Sequence, residues 1–322
     1  MNLREDVIDG FRCLTVENEE LELSVVPELG GKLRALRFRG HPHNAFLEPP
    51  DFPYRRAWPG APFEAFDTSG FDECFPTVAA SAHPDLPETA LPDHGELWTA
   101  EWSCEPDAGA LRMEPRLAPG RPWRFTRRLT LSGRTLRLEY EVASQAERAV
   151  RYLWSAHPLL AASTNSRIYL PAEVRSMLIE YSYGDRLGAR GDQIIWPVPE
   201  LEVLRGRDAG WAEKLFTERL IEGTCAFHDA ASDVSVRFRF DPRATPYLGL
   251  WICQGGWPAA RLGRHLTVAL EPCSGRPDAL GDAARRGECA QLAPGETHRW
   301  VLELELGLGP PTTDARGIVI GR

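Results

Sequence analysis

The chain has 322 residues, of which 43% are hydrophobic and 26% are charged, and this composition is typical of a soluble globular protein. Its formal net charge of -9 disfavours nucleic acid and anionic membrane surfaces as partners. No apolar stretch is long enough to span a bilayer, and the N-terminus lacks the apolar region of a secretory signal.

Apolar and polar residues alternate along much of the chain, which predicts strands with one buried face. Residues 21–26 and 36–39 predict an opening hairpin around the turn at 27–31. The alternation slips between Ala35 and Leu36, and this slip indicates a bulge. The first hairpin is therefore expected to be half-buried and locally bent.

The next segment, residues 41–92, is rich in proline and aromatic residues and has no steady periodicity. A loop of this length is usually functional, so it is interpreted as a lid or wall over a site. Residues 129–142 predict a second hairpin, and residues 234–240 and 300–306 alternate in the same way. The pattern of many short strands predicts an all-β sandwich or barrel.

Very little helix is expected. Only residues 278–287 resemble a helix, which is short and ends at Gly287. The strand pattern continues to residue 308, so residues 1–308 are predicted to form one domain. Residues 309–322 are predicted to form a C-terminal tail, either loose or reaching a neighbouring molecule.

The strand-like run from His265 to Glu271 places a carboxylate on the face opposite Leu266 and Leu270. It is expected to end there, because a stretch rich in proline and glycine follows. Two histidines are candidate partners, His94 in a loop and His157 at the end of another strand. One carboxylate and two imidazoles suffice to move protons on and off oxygen near neutral pH.

Several motifs resemble the aldose 1-epimerase family, whose members are galactose mutarotase-like. They keep the family order over about residues 15 to 307, and each is weak alone. The motifs are Leu-Glu-Leu-Ser-Val-Val-Pro-Glu-Leu-Gly-Gly-Lys-Leu at 21–33, Asp-His-Gly-Glu-Leu-Trp at 93–98, Leu-Trp-Ser-Ala-His-Pro at 153–158, Leu-Gly-Leu-Trp at 248–251, Glu-Pro-Cys-Ser-Gly-Arg-Pro-Asp at 271–278 and Leu-Ala-Pro-Gly-Glu-Thr at 292–297.

The resemblance implies a galactose mutarotase-like β-supersandwich that interconverts the α and β anomers of a sugar without a cofactor. By the same resemblance, Glu271 is the general base on the anomeric hydroxyl and His157 is the general acid facing the ring oxygen. His94 is then the second histidine, which binds and polarises the sugar. A carboxylate near a histidine would raise its pKa, which would suit the acid.

The chain departs from the best-known galactose mutarotases, which carry an Asn-Arg pair ahead of the His-Gly motif. The comparable stretch, residues 70–76, has no arginine, and this places the chain in a divergent branch. Asp72 and Glu73 are candidate substrate-binding residues in its place, or else they pair with Arg55 or Arg56. Trp251 is a candidate platform for a pyranose face, and Lys214 is a candidate polar contact.

Three alternatives remain open. A phosphosugar or acidic-sugar 1-epimerase of the same fold would need a basic pocket, for which Arg121, Arg124, Arg127, Arg128 or the pair Arg55-Arg56 are candidates. A non-catalytic carbohydrate-binding protein would keep affinity alone. A glycoside hydrolase would pair Glu271 with Asp72 or Glu73 at about 6.5–9.5 Å if it inverts.

No metal or cofactor is expected, because no phosphate loop, dinucleotide fingerprint or spaced ligand set is visible. The seven cysteines are scattered, which is typical of reduced thiols and predicts a cytoplasmic location. Cys273 could be a nucleophile but is better explained as a small apolar filler. The expected partner is a small sugar, and the chain is expected to be a monomer or homodimer.

Overall fold

The structure of the protein, a computed structural model, describes residues 2–49, 53–258, 264–313 and 319–320. The strands that these residues form are, in chain order, β1 (Asn2–Ile8), β2 (Phe11–Glu17), β3 (Leu21–Val26), β4 (Lys32–Phe38), β5 (Phe71–Cys74), β6 (Ser81–Ala82), β7 (Ala90–Leu91), β8 (Trp102–Asp107), β9 (Ala110–Pro115), β10 (Trp123–Ser132), β11 (Thr135–Ser144), β12 (Val150–Tyr152), β13 (Ser155–Ala161), β14 (Arg167–Tyr169), β15 (Ser176–Ser182), β16 (Gln193–Ile195), β17 (Trp211–Thr217), β18 (Thr224–Asp229), β19 (Val234–Phe240), β20 (Tyr247–Gln254), β21 (Leu266–Cys273), β22 (Ala290–Leu292), β23 (Thr297–Leu308), β24 (Thr312–Thr313) and β25 (Val319–Ile320).

Two large antiparallel sheets dominate the fold. The first has eleven strands in the order β1-β2-β3-β4-β5-β13-β21-β20-β17-β15-β16. The second has eight, in the order β14-β18-β19-β23-β11-β10-β9-β8. Their facing side chains, such as Val268 of the first sheet and Leu304 of the second, belong to one buried apolar cluster. This is the galactose mutarotase-like all-β architecture, so the predicted fold class is confirmed.

Helix is scarce, as predicted. The described residues contain two α-helices, α1 (Pro199–Glu202) and α2 (Leu280–Arg286). Short 3₁₀ turns occur at Phe63–Ala65, Tyr183–Asp185 and Arg207–Ala209. Helix α2 ends at Gly287, which has the left-handed conformation expected of a C-terminal glycine. No helix in the described parts of the chain has the length and apolar character needed to cross a membrane.

The strands predicted from alternation are present. Strands β3 and β4 form the opening hairpin, and the register shifts where Ser24 pairs with Ala35 and Val25 pairs with Leu33. Arg34 is therefore the extra residue of a bulge, next to the predicted slip. Strands β10 and β11 form the second hairpin. These predictions hold because, for each of these strands, the opposite sheet of the sandwich covers one face.

The interpretation of residues 41–92 as a long loop is wrong in part. Strand β5 lies within this segment and pairs with both β4 and β13 in the interior of the large sheet. All four residues of β5 are buried, so they do not show the alternation that marks a half-exposed strand. The other described residues of this segment are mostly irregular, except that β6 and β7 pair with each other.

The predicted tail is described only in part. Strands β24 and β25 pair with each other, while residues 314–318 and 321–322 lie outside the described residues. The boundary at residue 308 coincides with the end of β23. The division into one domain and a tail stays a prediction.

Candidate active site

The outer face of the large sheet carries the candidate site. Glu271 lies in β21 opposite Gly249 of β20, and Lys214 of β17 lies opposite Trp251 of β20. His157 of β13 lies opposite Asp72 of β5. Because residues that face each other across an antiparallel pair point to the same side, neighbouring strands present these side chains to one surface.

A cavity of about 200 Å³ opens on this face. It is smaller than the roughly 300–1,000 Å³ pockets that hold drug-sized ligands, so it suits a single sugar ring. Five of the seven predicted site residues line it, namely His94, His157, Lys214, Trp251 and Glu271. The other lining residues are Phe63, Val78, Ala79, Asp93, Leu159, Tyr181, Trp257 and Asp278.

The Glu271 side chain is fully buried, but only one of its two carboxylate oxygens has hydrogen-bond partners. Lys214 donates a short hydrogen bond to Oε2, and the hydroxyl of Ser155 lies 3.5 Å from the same oxygen. Oε1 is buried and has no hydrogen-bond partner. Burial raises the pKa of Glu271, the charge of Lys214 opposes that rise, and Asp278 adds to it. The strand runs two residues beyond Glu271, so its predicted end was slightly early.

His157 lies inside β13 rather than at the strand end that the sequence suggested. Its Nδ1 is buried without a hydrogen-bond partner. Burial lowers the pKa of His157 well below its usual value, and the charges of His94, Lys214 and Lys32 act in the same direction. The expectation that a carboxylate raises this pKa is therefore wrong, because loss of solvent outweighs any nearby negative charge.

His94 occupies a tight turn. Both His94 and Gly95 have positive φ, and a Cβ on Gly95 would lie 2.1 Å from the carbonyl oxygen of Phe75. Only glycine fits there, so the turn holds His94 against the cavity. Asp93 lies 2.8 Å from Nδ1 of His94, and the imidazole stacks on Phe63 with 4.0 Å between ring centroids. His94 and His157 are perpendicular neighbours at 5.0 Å between centroids.

Aromatic side chains form the apolar part of the cavity wall. Trp251 contacts the half-exposed Tyr181 and lies edge-to-face with Trp257 at 5.9 Å. Trp154, by contrast, is buried in the core, and Trp58 does not line the cavity. Trp251 therefore lies at the cavity, and its role as a platform for a pyranose face stays a prediction.

The structure does not bring Glu73 to the cavity. Its carboxylate is fully buried on the opposite face of the sheet and accepts hydrogen bonds from Arg127, Tyr140 and Trp154. Both oxygens are occupied, and the suggested partners Arg55 and Arg56 are replaced by Arg127. Adjacent residues of a strand point to opposite faces, which explains why Glu73 and Asp72 diverge.

Asp72 does not line the cavity either. It shares the sheet face of His157 but is buried, and Lys32 donates a short hydrogen bond to its Oδ2. Lys32 also lies 3.2 Å from Asp67 and donates to the carbonyl of Ser69. Burial raises the pKa of Asp72 to about 6, although Lys32 opposes the rise. Asp72 is thus paired with Lys32 and is not among the described residues that line the cavity.

Several cavity residues were missed by the sequence reasoning. Asp278 closes the motif that begins at Glu271, so its position in that motif could have pointed to it. Asp93 precedes His94 and was treated only as part of a turn. Phe63 and Tyr181 carry no sequence signal, because their place depends on how distant segments pack. The missed residues supply much of the cavity wall.

Cysteine and metal chemistry receive little support from the described residues. Cys273 is buried, and burial raises the pKa of its thiol to about 12, so it is not a thiolate nucleophile near neutral pH. Among the described histidines, cysteines and acidic residues, no group of three or more is placed to hold a metal ion.

Solved structures share this fold at low sequence identity. The galactose mutarotase related enzyme of Lactobacillus acidophilus aligns with a TM-score of 0.67 at 15% identity, over 92% of this chain and 97% of that one. The Slr1438 protein of Synechocystis sp. PCC 6803 aligns with a TM-score of 0.68 at 16% identity, over 96% of this chain and 100% of that one. A galactose mutarotase-like protein of Lactobacillus casei aligns with a TM-score of 0.62 at 15% identity, over 92% of this chain and 100% of that one.

The likeness lies in the fold. No protein-family model matches the chain, and no curated protein matches it. At these identities the common architecture is established, whereas activity must be argued from the site itself. The chain is thus a divergent protein with the galactose mutarotase-like fold.

Proposed function

We propose that the protein is an aldose 1-epimerase, which interconverts the α and β anomers of a free sugar by acid–base catalysis. The observation that carries the proposal is that Glu271 and His157 line the same cavity and that each keeps a buried polar atom without a hydrogen-bond partner. Glu271 Oε1 and His157 Nδ1 are both buried without a partner, although buried polar atoms are nearly always hydrogen-bonded. A sugar with its hydroxyl groups and ring oxygen would satisfy such atoms.

The mechanism needs one proton removed and one delivered. Glu271 takes the proton of the anomeric hydroxyl while His157, in its protonated form, gives a proton to the ring oxygen. The bond from C1 to the ring oxygen breaks, and an open-chain aldehyde forms. Rotation about the C1–C2 bond presents the other face of the carbonyl. The ring then closes, and both protons return, so the enzyme ends as it began. Each such group typically contributes about 10²–10⁴-fold in rate.

Burial suits the middle of this cycle. While the open-chain aldehyde is bound, Glu271 is protonated and His157 is neutral. Loss of solvent raises the pKa of Glu271 and lowers that of His157, so both shifts favour this state. Lys214 works against complete neutralisation, because its hydrogen bond to Oε2 keeps an ionised Glu271 accessible. Lys214 is accordingly assigned to holding the base rather than to contacting the sugar.

The remaining cavity residues have supporting roles in the proposal. His94, oriented by Asp93, would bind and polarise the sugar, and Trp251 would offer its face to the pyranose ring. No step requires a metal or organic cofactor. The expected partner is a small sugar, and a cytoplasmic location remains the expectation from the sequence.

The test is anomer exchange measured by saturation-transfer NMR on glucose, galactose and glucose 6-phosphate. We expect acceleration over buffer for at least one aldose, and loss of most of it in His157→Gln. Heat-denatured protein controls for adventitious catalysis. If the NMR signals of the protein shift when sugar is added but anomer exchange is not accelerated, the protein is a carbohydrate-binding protein without turnover. Cleavage of a chromogenic glycoside would favour a hydrolase.

A further inference from the structure

The part of the site that the catalytic proposal leaves unused is the carboxylate of Asp278. It lines the cavity beside Lys214, and its Oδ1 is buried without a hydrogen-bond partner. That oxygen lies 3.8 Å from Lys214 Nζ, too far for a hydrogen bond. Glu271 and Asp278 thus flank one ammonium, and each keeps one buried oxygen without a hydrogen bond.

The backbone fixes Asp278 in this position. Its carbonyl oxygen accepts hydrogen bonds from the amides of Val78 and Ala79 at 3.0 and 2.9 Å, and from the Thr77 hydroxyl at 3.2 Å. Val78 and Ala79 are themselves cavity residues. The backbone of Asp278 is therefore held by the same segment that forms the wall, and such preorganisation is typical of binding groups.

The charges around the cavity are unbalanced. Lys214 is the sole lysine or arginine among the described lining residues, and the carboxylates of Glu271 and Asp278 already face it. Burial alone would lower the pKa of Lys214, but Asp278 and Glu271 together raise it, so it stays charged. One ammonium against two carboxylates leaves this part of the site negative.

The arginines that could have made a basic pocket are engaged elsewhere. Arg127 is buried between the sheets with Glu73, and Arg128 pairs with Asp107 and Glu139. Arg121 and Arg124 pair with acidic residues, and neither lines the cavity, nor does Arg55 or Arg56. A phosphate in the described cavity would therefore meet two carboxylates without a free cation.

We propose that Asp278 is a specificity-determining residue of this site, which accepts a hydrogen bond from a sugar hydroxyl and restricts the enzyme to aldoses without an anionic group. The inference rests on the proposed epimerase function. A carboxylate with a free buried oxygen binds a hydroxyl donor well, since hydrogen bonds to charged groups are among the stronger ones. The same charge repels a phosphate or a second carboxylate.

The experiment compares Asp278→Asn, Asp278→Ala and the control Asp282→Asn, which removes a carboxylate outside the cavity four residues away. For the preferred neutral aldose, we expect Asp278→Ala to raise KM about 10–100-fold and to change kcat less than about threefold. Asp278→Asn keeps an acceptor oxygen and should raise KM less. It should also lower the inhibition constant for glucose 6-phosphate, whereas Asp282→Asn should change neither quantity.

The outcomes separate the inference from the catalytic proposal. If the wild type accelerates anomer exchange but both Asp278 variants keep its KM and its response to glucose 6-phosphate within twofold, Asp278 has no role in specificity. If the wild type does not accelerate exchange, the epimerase proposal fails. Binding of the methyl glycoside, which cannot open, still tests Asp278 by NMR titration. Thermal denaturation verifies that each variant is folded. If Asp278→Ala does not fold, the milder Asp278→Asn substitution provides the test.

Discussion

Two glutamates of the same sheet, Glu73 and Glu271, are both fully buried, yet they differ in how their carboxylate oxygens are satisfied. Glu73 faces the core, where Arg127, Tyr140 and Trp154 satisfy both of its oxygens. Glu271 faces the cavity with one oxygen held and the other without a partner.

The difference teaches that burial alone does not distinguish a structural carboxylate from a reactive one. Burial raises the pKa of both groups, and a nearby cation opposes the rise in each case. What distinguishes them is that Glu271 lines a cavity and keeps one oxygen without a hydrogen-bond partner, whereas Glu73 does neither. Replacing each carboxylate by an amide should therefore have different effects. The change at Glu73 should lower stability, and the change at Glu271 should lower turnover.

The largest effect is expected for Glu271→Gln. Removing the base should lower kcat for anomer exchange by about 10²–10⁴-fold, because glutamine cannot accept the proton of the anomeric hydroxyl. Sugar affinity measured by NMR titration should stay within a few-fold, since the amide keeps the shape and one acceptor. Loss of affinity together with turnover would instead indicate that Glu271 mainly binds the sugar.

For Glu73→Gln we expect a loss of about 3–5 kcal/mol in the free energy of unfolding, because Arg127 would remain buried without its charge partner. Chemical denaturation measures this loss. The matched control is Glu139→Gln, which breaks a half-exposed ion pair with Arg128 on the second sheet. It should lower the free energy of unfolding by about 0–1 kcal/mol. Equal stability losses for the two variants would contradict the structural role of Glu73.

The pH dependence of the exchange rate should report His157. The mechanism needs a protonated His157 with an ionised Glu271, and burial lowers the pKa of His157. The active form is the one in which the pair holds a single proton, on His157. At high pH both groups lose their protons, so kcat/KM should fall about tenfold per pH unit there. At low pH both groups hold protons, and the rate should fall again. A rate that stays constant up to high pH would contradict His157 as the acid.

A smaller effect on kcat is expected at Gly249 of β20, which lies opposite Glu271 and leaves room for its carboxylate. A Cβ on Gly249 would lie 3.0 Å from Oε2 of Glu271 and 3.2 Å from the ring of Phe216. Gly249→Ala should therefore displace the carboxylate and lower kcat by about tenfold. Gly281→Ala provides a control, because its Cβ would meet only an ordinary contact at 3.5 Å. Unchanged activity in Gly249→Ala would show that the carboxylate position is not critical.

The sequence alone predicted the fold class and most of the long hairpins, because alternation directly reflects one buried and one wet face. The same rule placed Glu271 correctly on the face away from Leu270. It failed for β5, where every residue is buried and no alternation remains to show which of Asp72 and Glu73 shares the sheet face of His157.

Pairings between distant segments were also out of reach of the sequence. Lys214 meets Glu271 because β20 lies between β17 and β21, and this neighbour relation depends on the sheet order rather than on any local pattern. The low pKa of His157 has the same origin, since it depends on how completely the surrounding elements exclude water. Residue type indicated candidate chemistry, and packing decided which candidates could take part.

The most direct measurement is the anomer exchange rate per folded molecule for the wild type, Glu271→Gln and Glu73→Gln, compared in one saturation-transfer experiment. The account predicts that Glu271→Gln loses at least 100-fold. It predicts that Glu73→Gln keeps a rate within a few-fold of the wild type once its lower folded fraction is taken into account. Equal losses in the two variants, or full activity in Glu271→Gln, would contradict the assignment of Glu271 as the base.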